Sequence, residues 1–147
     1  MQQHVFEIGK VKVGGQPGEN PTVLIGSIFY QGHKIVLDHK KGEVNRENAE
    51  RLIKLQEEFS DKTGSPCMLD VIGSTEEAMK KFISLAGEIS EEPILIDSPK
   101  AEVKAVAARH ASELGLERRV IYNSLTPESE SEEFQVIKES GVESSMI

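Results

Sequence analysis

The chain has 147 residues, 37% of them hydrophobic and 29% charged, with a formal net charge of -8, which suits one ordinary globular core. The acidic balance supplies no basic patch to neutralise phosphates and argues against a nucleic-acid partner. No apolar run is long enough to cross a bilayer, and Met1-Gln2-Gln3-His4 carries no signal-peptide pattern. The single cysteine, Cys67, sits inside an apolar run, so neither a disulfide scaffold nor a cysteine-rich metal site is available, and a reducing compartment fits.

In chain order, Val5 to Val13 alternates weakly about Gly9-Lys10 and predicts a small hairpin, which Gly14-Gly15-Gln16-Pro17-Gly18 ends. Residues 1–18 are thereby set apart from a strand-and-helix unit over 19–147. Thr22 to Gly26 is the first continuous apolar strand, of the kind covered on both faces. The connection from Ser27 to Val44 is long for a strand-to-helix joint and reads as a functional loop, with Phe29, Tyr30 and Ile35 beside polar groups. Asn45 is placed to cap a helix to about Asp61, with Ala49, Leu52, Ile53 and Phe59 on one stripe, stopped by Lys62-Thr63-Gly64-Ser65-Pro66.

The next three units share one grammar. The Cys67 strand runs into Asp70-Val71-Ile72-Gly73, and Ser74 with Glu77 predicts a capping box for the Thr75 to Ala86 helix, whose inward face is Ala78, Met79, Phe82, Ile83 and Ala86. Pro93 to Ile96 is a buried strand ending at Asp97. Ser98-Pro99 then opens a helix from about Lys100 to Leu114, with Val103, Val106, Ala107, His110, Ala111 and Leu114 as its stripe. Arg119 to Tyr122 ends at Asn123, and Thr126-Pro127 opens a polar helix from about Glu128 to Glu139, anchored by Phe134 and Ile137. Gly141 closes it, and Val142 to Ile147 begins a fifth strand.

Successive strand-helix units imply a parallel sheet with right-handed crossovers. The strand ends Asp70, Asp97 and Asn123 follow one another at 27 and 26 residues, a cadence as tight as an eight-fold barrel uses. A whole barrel takes about 250 residues, so the chain reads as the first half of one. A doubly wound five-stranded sheet is the competing architecture, and it would need the strands reordered about a switch point. Its dinucleotide fingerprint is missing, because the Gly14 to Gly18 group precedes the first strong strand.

Either fold puts Asp70, Asp97 and Asn123 on one face at the strand C-termini. Two carboxylates and a carboxamide can hydrogen-bond a flat, amide-rich heterocycle, since aspartate accepts from N–H groups while asparagine donates and accepts. The same carboxylates could hold a hard metal, although such ions want six or more oxygens. Singly, each of the three could equally be a loop cap. His33 and His39 read as solvated loop residues, His110 as a packed member of the helix stripe, and Cys67 as core.

Gly15-Gln16-Pro17-Gly18-Glu19, Thr22 to Tyr30 and Gly32-His33-Lys34-Ile35-Val36 resemble the N-terminal part of the H subunit of the tetrahydromethanopterin S-methyltransferases of methanogenic archaea. Ser60 to Gly64, Leu69 to Thr75 and Arg119 to Ser124 continue the resemblance over nearly the whole chain. More distantly it is similar to methyltetrahydrofolate-corrinoid methyltransferases and pteroate synthases, although Ile72 stands where their second-strand motif has a second polar residue.

The resemblance implies a pterin-binding TIM barrel about twice this length, with later pocket residues beyond Ile147. It implies methyl-tetrahydromethanopterin as substrate, Asp70, Asp97 and Asn123 as pocket residues, Asp97 on the pterin amide and amino edge, and Asn123 as the catalytic residue at N5. The methyl acceptor would be a corrinoid, cob(I)amide, on a partner subunit of a membrane complex to which this subunit is peripheral on the cytoplasmic side. The residues themselves do not distinguish tetrahydromethanopterin from tetrahydrofolate. The alternative is a truncated, non-catalytic pterin-binding or structural subunit. Unpaired edges at the first strand and at Val142 to Ile147 would then favour a homo-oligomer in which two halves close each other.

Overall fold

A computed structural model describes residues 3–147, so Met1 and Gln2 of the expected 1–18 unit lie outside the described residues. The hairpin forms as the alternation predicts: β1 (Val5–Ile8) and β2 (Val11–Gly14) pair antiparallel, with Gly9 turning at φ 55°. The main sheet has five parallel strands in the order β3 (Leu24–Ile28), β6 (Cys67–Ile72), β7 (Ile94–Asp97), β8 (Val120–Asn123) and β9 (Ser144–Ser145). Between β3 and β6 lie a two-stranded ribbon, β4 (Val36–Asp38) with β5 (Glu43–Val44), and α1 (Arg46–Thr63). The later crossovers are α2 (Glu76–Ile89), α3 (Ala101–Glu113) and α4 (Ser131–Ser140).

Neighbours in the sheet are neighbours in sequence, so there is no switch point and the doubly wound alternative is set aside. The helices pack on one face. Leu69, Val71, Ile94, Ile96, Val120 and Tyr122 point from the strands into a core with Ile53, Phe82, Ile83, Val103 and Ala107. The alternate strand residues Met68, Leu95 and Ile121 point to the other face, where the hairpin covers them with Ile8 and Val11. The hairpin therefore floors the face on which Asp70, Asp97 and Asn123 stand, and leaves its C-terminal end open.

Several local expectations are corrected. Strand β3 is an edge, not a strand covered on both faces: Leu24 is 59% and Ile25 45% exposed, because among the described residues only β6 pairs with it. The N-cap of α2 is Thr75, whose hydroxyl accepts from Ala78 N at 3.1 Å, while Ser74 donates to the carbonyl of His39 and Glu77 pairs with Lys81. Neither α3 nor α4 has a side-chain cap. Ser98 Oγ accepts from Lys100 N at 3.3 Å, one residue too early, and Thr126 Oγ1 accepts from Glu128 N three residues before α4 begins. Phe59, Leu114 and Phe134 are exposed, and Val136 anchors α4 in place of Phe134. Asn45 does cap α1, accepting from Asn48 N at 3.0 Å.

The Ser27 to Val44 connection is ordered by contacts with α2. Ser74, Thr75 and Lys81 donate to the carbonyls of His39, Lys40 and Lys41. Gly42 (φ 69°) touches α2 so closely that a Cβ there would meet Ala78 Cα at 2.7 Å. Phe29 is buried at φ 68° and stacks on Phe82 with ring centroids 4.7 Å apart.

Candidate functional site at the strand C-termini

Register explains why three residues far apart in sequence meet. Asp97 pairs with Ile72 on one side and Asn123 on the other, and Asp70 lies two residues below Ile72 on the same face, level with Ser27. The structure thus brings Asp70, Asp97 and Asn123 together at one rim. Ser27, which the sequence places in the following loop, joins them as a fourth member.

Their tasks differ. Asp70 is buried and occupied: Oδ2 accepts from Ser27 Oγ at 2.9 Å and Oδ1 from Asn123 Nδ2 at 3.4 Å. Because an ionised carboxylate only accepts, this contact orients the Asn123 amide with its NH2 toward Asp70, leaving Oδ1 and a second Nδ2 proton for something else. Asp97 is half-buried, and its carboxylate accepts no hydrogen bond from any described residue. Burial, then the charge of Asp70, raise it above the usual aspartate range, and Lys104 partly offsets them. A half-buried acceptor with free oxygens is poised for a donor from outside the chain.

A hollow of about 280 Å³ opens over Asp97 and Asn123 and is also lined by Ser98, Lys104, Ser124 and Glu133. Sequence reasoning missed Lys104 and Glu133, although both fall on stripe positions: Lys104 beside Ala107, Ala108 and Ala111, and Glu133 beside Val136, Ile137 and Ser140. A charge at a buried helical position is the signal that would have found them. The Asn123–Ser124 peptide in this wall is cis.

Elsewhere the candidates fall away from the rim. Cys67 is buried, and burial pushes its thiol up. His110 Nε2 lies 2.7 Å from Ser84 Oγ, and His33 Nδ1 accepts from Ile35 N in its own turn. Among the described residues no group of three or more His, Cys, Asp or Glu side chains could hold a metal ion. No described helix is long and apolar enough to cross a membrane.

The family model for the tetrahydromethanopterin S-methyltransferase MtrH subunit matches residues 1–147. Among curated proteins, the H subunit of the tetrahydromethanopterin S-methyltransferase of Methanopyrus kandleri is 50% identical over 146 residues, covering 99% of this chain and 45% of the relative. The H subunit of a putative mtx methyltransferase of Methanosarcina mazei is 45% identical over 99% of this chain and 47% of the relative. The tetrahydromethanopterin S-methyltransferase H subunit of Methanothermobacter thermautotrophicus is 44% identical with the same coverage, 99% and 47%. The chain spans about half the length of the curated relatives it matches.

Proposed function

Since the chain belongs to the tetrahydromethanopterin S-methyltransferase MtrH subunit family, we propose that it carries the part of a methyltransferase that binds a methylated reduced pterin at the Asp70, Asp97 and Asn123 rim. The observation that carries this reading is the pairing of a free, half-buried carboxylate, Asp97, with a carboxamide, Asn123, held by Asp70. A pterin presents its amide and amino N–H groups along one edge and N5 across the ring. Asp97 is the matching acceptor, and Asn123 the matching polar group for N5.

The chemistry divides in the same way. A methyl group leaves N5 only if the nitrogen gains a proton or a hydrogen bond that strengthens as the carbon–nitrogen bond breaks. The second Nδ2 proton of Asn123 supplies that bond, the proton that replaces the methyl group on N5 comes from solvent, Asp70 fixes the plane of the amide, and Asp97 orients the ring. The acceptor must be a strong nucleophile, and Cys67 is buried in the core; the family reading supplies a corrinoid in its cob(I) state on a partner subunit as that acceptor. The substrate is methyl-tetrahydromethanopterin, and the subunit is peripheral to a membrane complex.

In this reading residues 19–147 are part of a (β/α) barrel, with the Val5 to Gly14 hairpin as its floor. Sequential strand order and helices on one face support it. The test is titration of methyl-tetrahydromethanopterin into the full-length polypeptide carrying this sequence, with methyl transfer to cob(I)alamin as the activity. An Asp97→Ala, Asn123→Ala double variant should lose both. Unchanged affinity and rate would refute the assignment.

A further inference from the structure

We infer that Lys104 is a positioning residue for this site, tying the turn after Asn123 to the wall behind Asp97. The inference deepens the pterin-binding reading and rests on it. Lys104 stands on α3 at 8% exposure. Its Nζ donates to the carbonyl of Ser124 at 2.8 Å, lies 3.2 Å from Glu133 Oε1, and sits 4.7 Å from the centroid of the Tyr122 ring. Glu133 Oε1 also accepts from the Tyr122 hydroxyl at 2.6 Å. One amine thus joins α3, the end of β8, the following turn and α4.

A buried ion pair serving the fold alone has no need to be here, and its replacement by apolar groups of similar volume is often neutral. This pair lines the same hollow as Asp97 and Asn123, and its hydrogen bond falls on the residue next to Asn123. Burial alone would push Glu133 up, but hydrogen bonds from Tyr122, Ser129 and Lys104, with the charge of Lys104, hold it below the usual glutamate range. Burial and then Glu133 push the Tyr122 phenol far upward. Glu133 is therefore ionised at neutral pH, beside a neutral phenol. The charged groups acting on Asp97 are Asp70 from β6 and Lys104 from α3. Lys104 in turn meets Glu133 from α4 and Tyr122 from β8. Lys104 accordingly holds the backbone next to Asn123 through its hydrogen bond to the Ser124 carbonyl and favours ionised Asp97 by its charge.

The test uses the full-length polypeptide, methyl-tetrahydromethanopterin and cob(I)alamin, with variants Lys104→Met, Glu133→Gln and the charge-neutral pair of both. Lys104→Met should lower kcat about 10- to 100-fold at the pH optimum, with KM for the pterin within about threefold. It should also move the acid limb of kcat/KM to higher pH, whereas Glu133→Gln, which leaves the lysine, should not raise that limb. The double variant leaves no unpaired buried charge and should keep the loss in kcat. A folded Lys104→Met or double variant with wild-type kcat and acid limb would overturn the inference. So would loss of folding in both, which would make the role purely structural. An unmodified polypeptide that neither binds the pterin nor transfers its methyl group would defeat the parent reading instead.

Discussion

Asn123 donates to Asp70 across the intervening strand β7, with Nδ2 to Oδ1 at 3.4 Å, while the other oxygen of Asp70 is held by Ser27 at 2.9 Å. A long contact of this kind is easily lost, and its value is orientation more than energy. Asp70→Asn is expected to slow methyl transfer about 10- to 100-fold, because an amide can face Asn123 with either end and no longer dictates its orientation. Single-turnover rates paired with thermal melts would check this. An unaltered rate would show that Asn123 is oriented by something else.

Asp97 makes a pH-dependent prediction whose sign follows from its raised value. The folded state holds the Asp97 proton more tightly than the unfolded chain does, so between the ordinary aspartate pKa and the raised one folding takes up a proton. Stability from this group is therefore full below the ordinary value and lost as pH rises through the raised one. Asp97→Asn should stabilise the protein at neutral pH, by on the order of 1 kcal/mol or less given partial exposure. The advantage should vanish in acid, while pterin affinity falls at neutral pH. Denaturant melts at two pH values test it, and equal stability of the two forms at neutral pH would contradict it.

Strand ends were the most legible part of the sequence, because an apolar run followed by Asp or Asn and then a breaker fixes both the element and the rim. The helix faces were legible where packing is two-sided, as on α2, where Ala78, Met79, Phe82, Ile83 and Ala86 are all buried. They were less so at element ends. Phe59 and Leu114 fit the periodic pattern of α1 and α3 yet stand exposed toward their C-terminal ends, and size alone made Phe134 look like an anchor. Ser27 stayed hidden because it became part of the site only through strand register, which no local pattern encodes. Lys104 and Glu133 were missed because each is an ordinary surface residue by type and is buried through tertiary partners, each other, Tyr122 and the Ser124 carbonyl, that no local pattern encodes.

Capping gives a local prediction. Thr75 Oγ1 both accepts from Ala78 N and donates to the carbonyl of Lys40, at 2.6 Å. Thr75→Ala should therefore cost about 1–2 kcal/mol and loosen the ribbon as well as α2. Glu77→Ala, which removes only an exposed pair with Lys81, should stay within about 0.5 kcal/mol. Urea unfolding of the two variants distinguishes Thr75 from the Ser74–Glu77 box that the sequence suggested. Equal losses would favour the box.

The last prediction concerns the open edge of β3. Among the described residues this strand is bonded only to β6, and Leu24 and Ile25 are 59% and 45% exposed beside its free edge. A row of free N–H and C=O groups flanked by large aliphatic side chains is a template for another strand. A polypeptide restricted to residues 1–147 should therefore self-associate through that edge at about micromolar concentration, since each shielded aliphatic side chain contributes about 1.5–3 kcal/mol when fully buried. Ile25→Lys should weaken the association by placing a charge on the contact without touching the helix-packed core. Sedimentation velocity across a dilution series reads the result. A sample that stays monomeric and melts cooperatively at every concentration would show that the edge is protected by its own geometry.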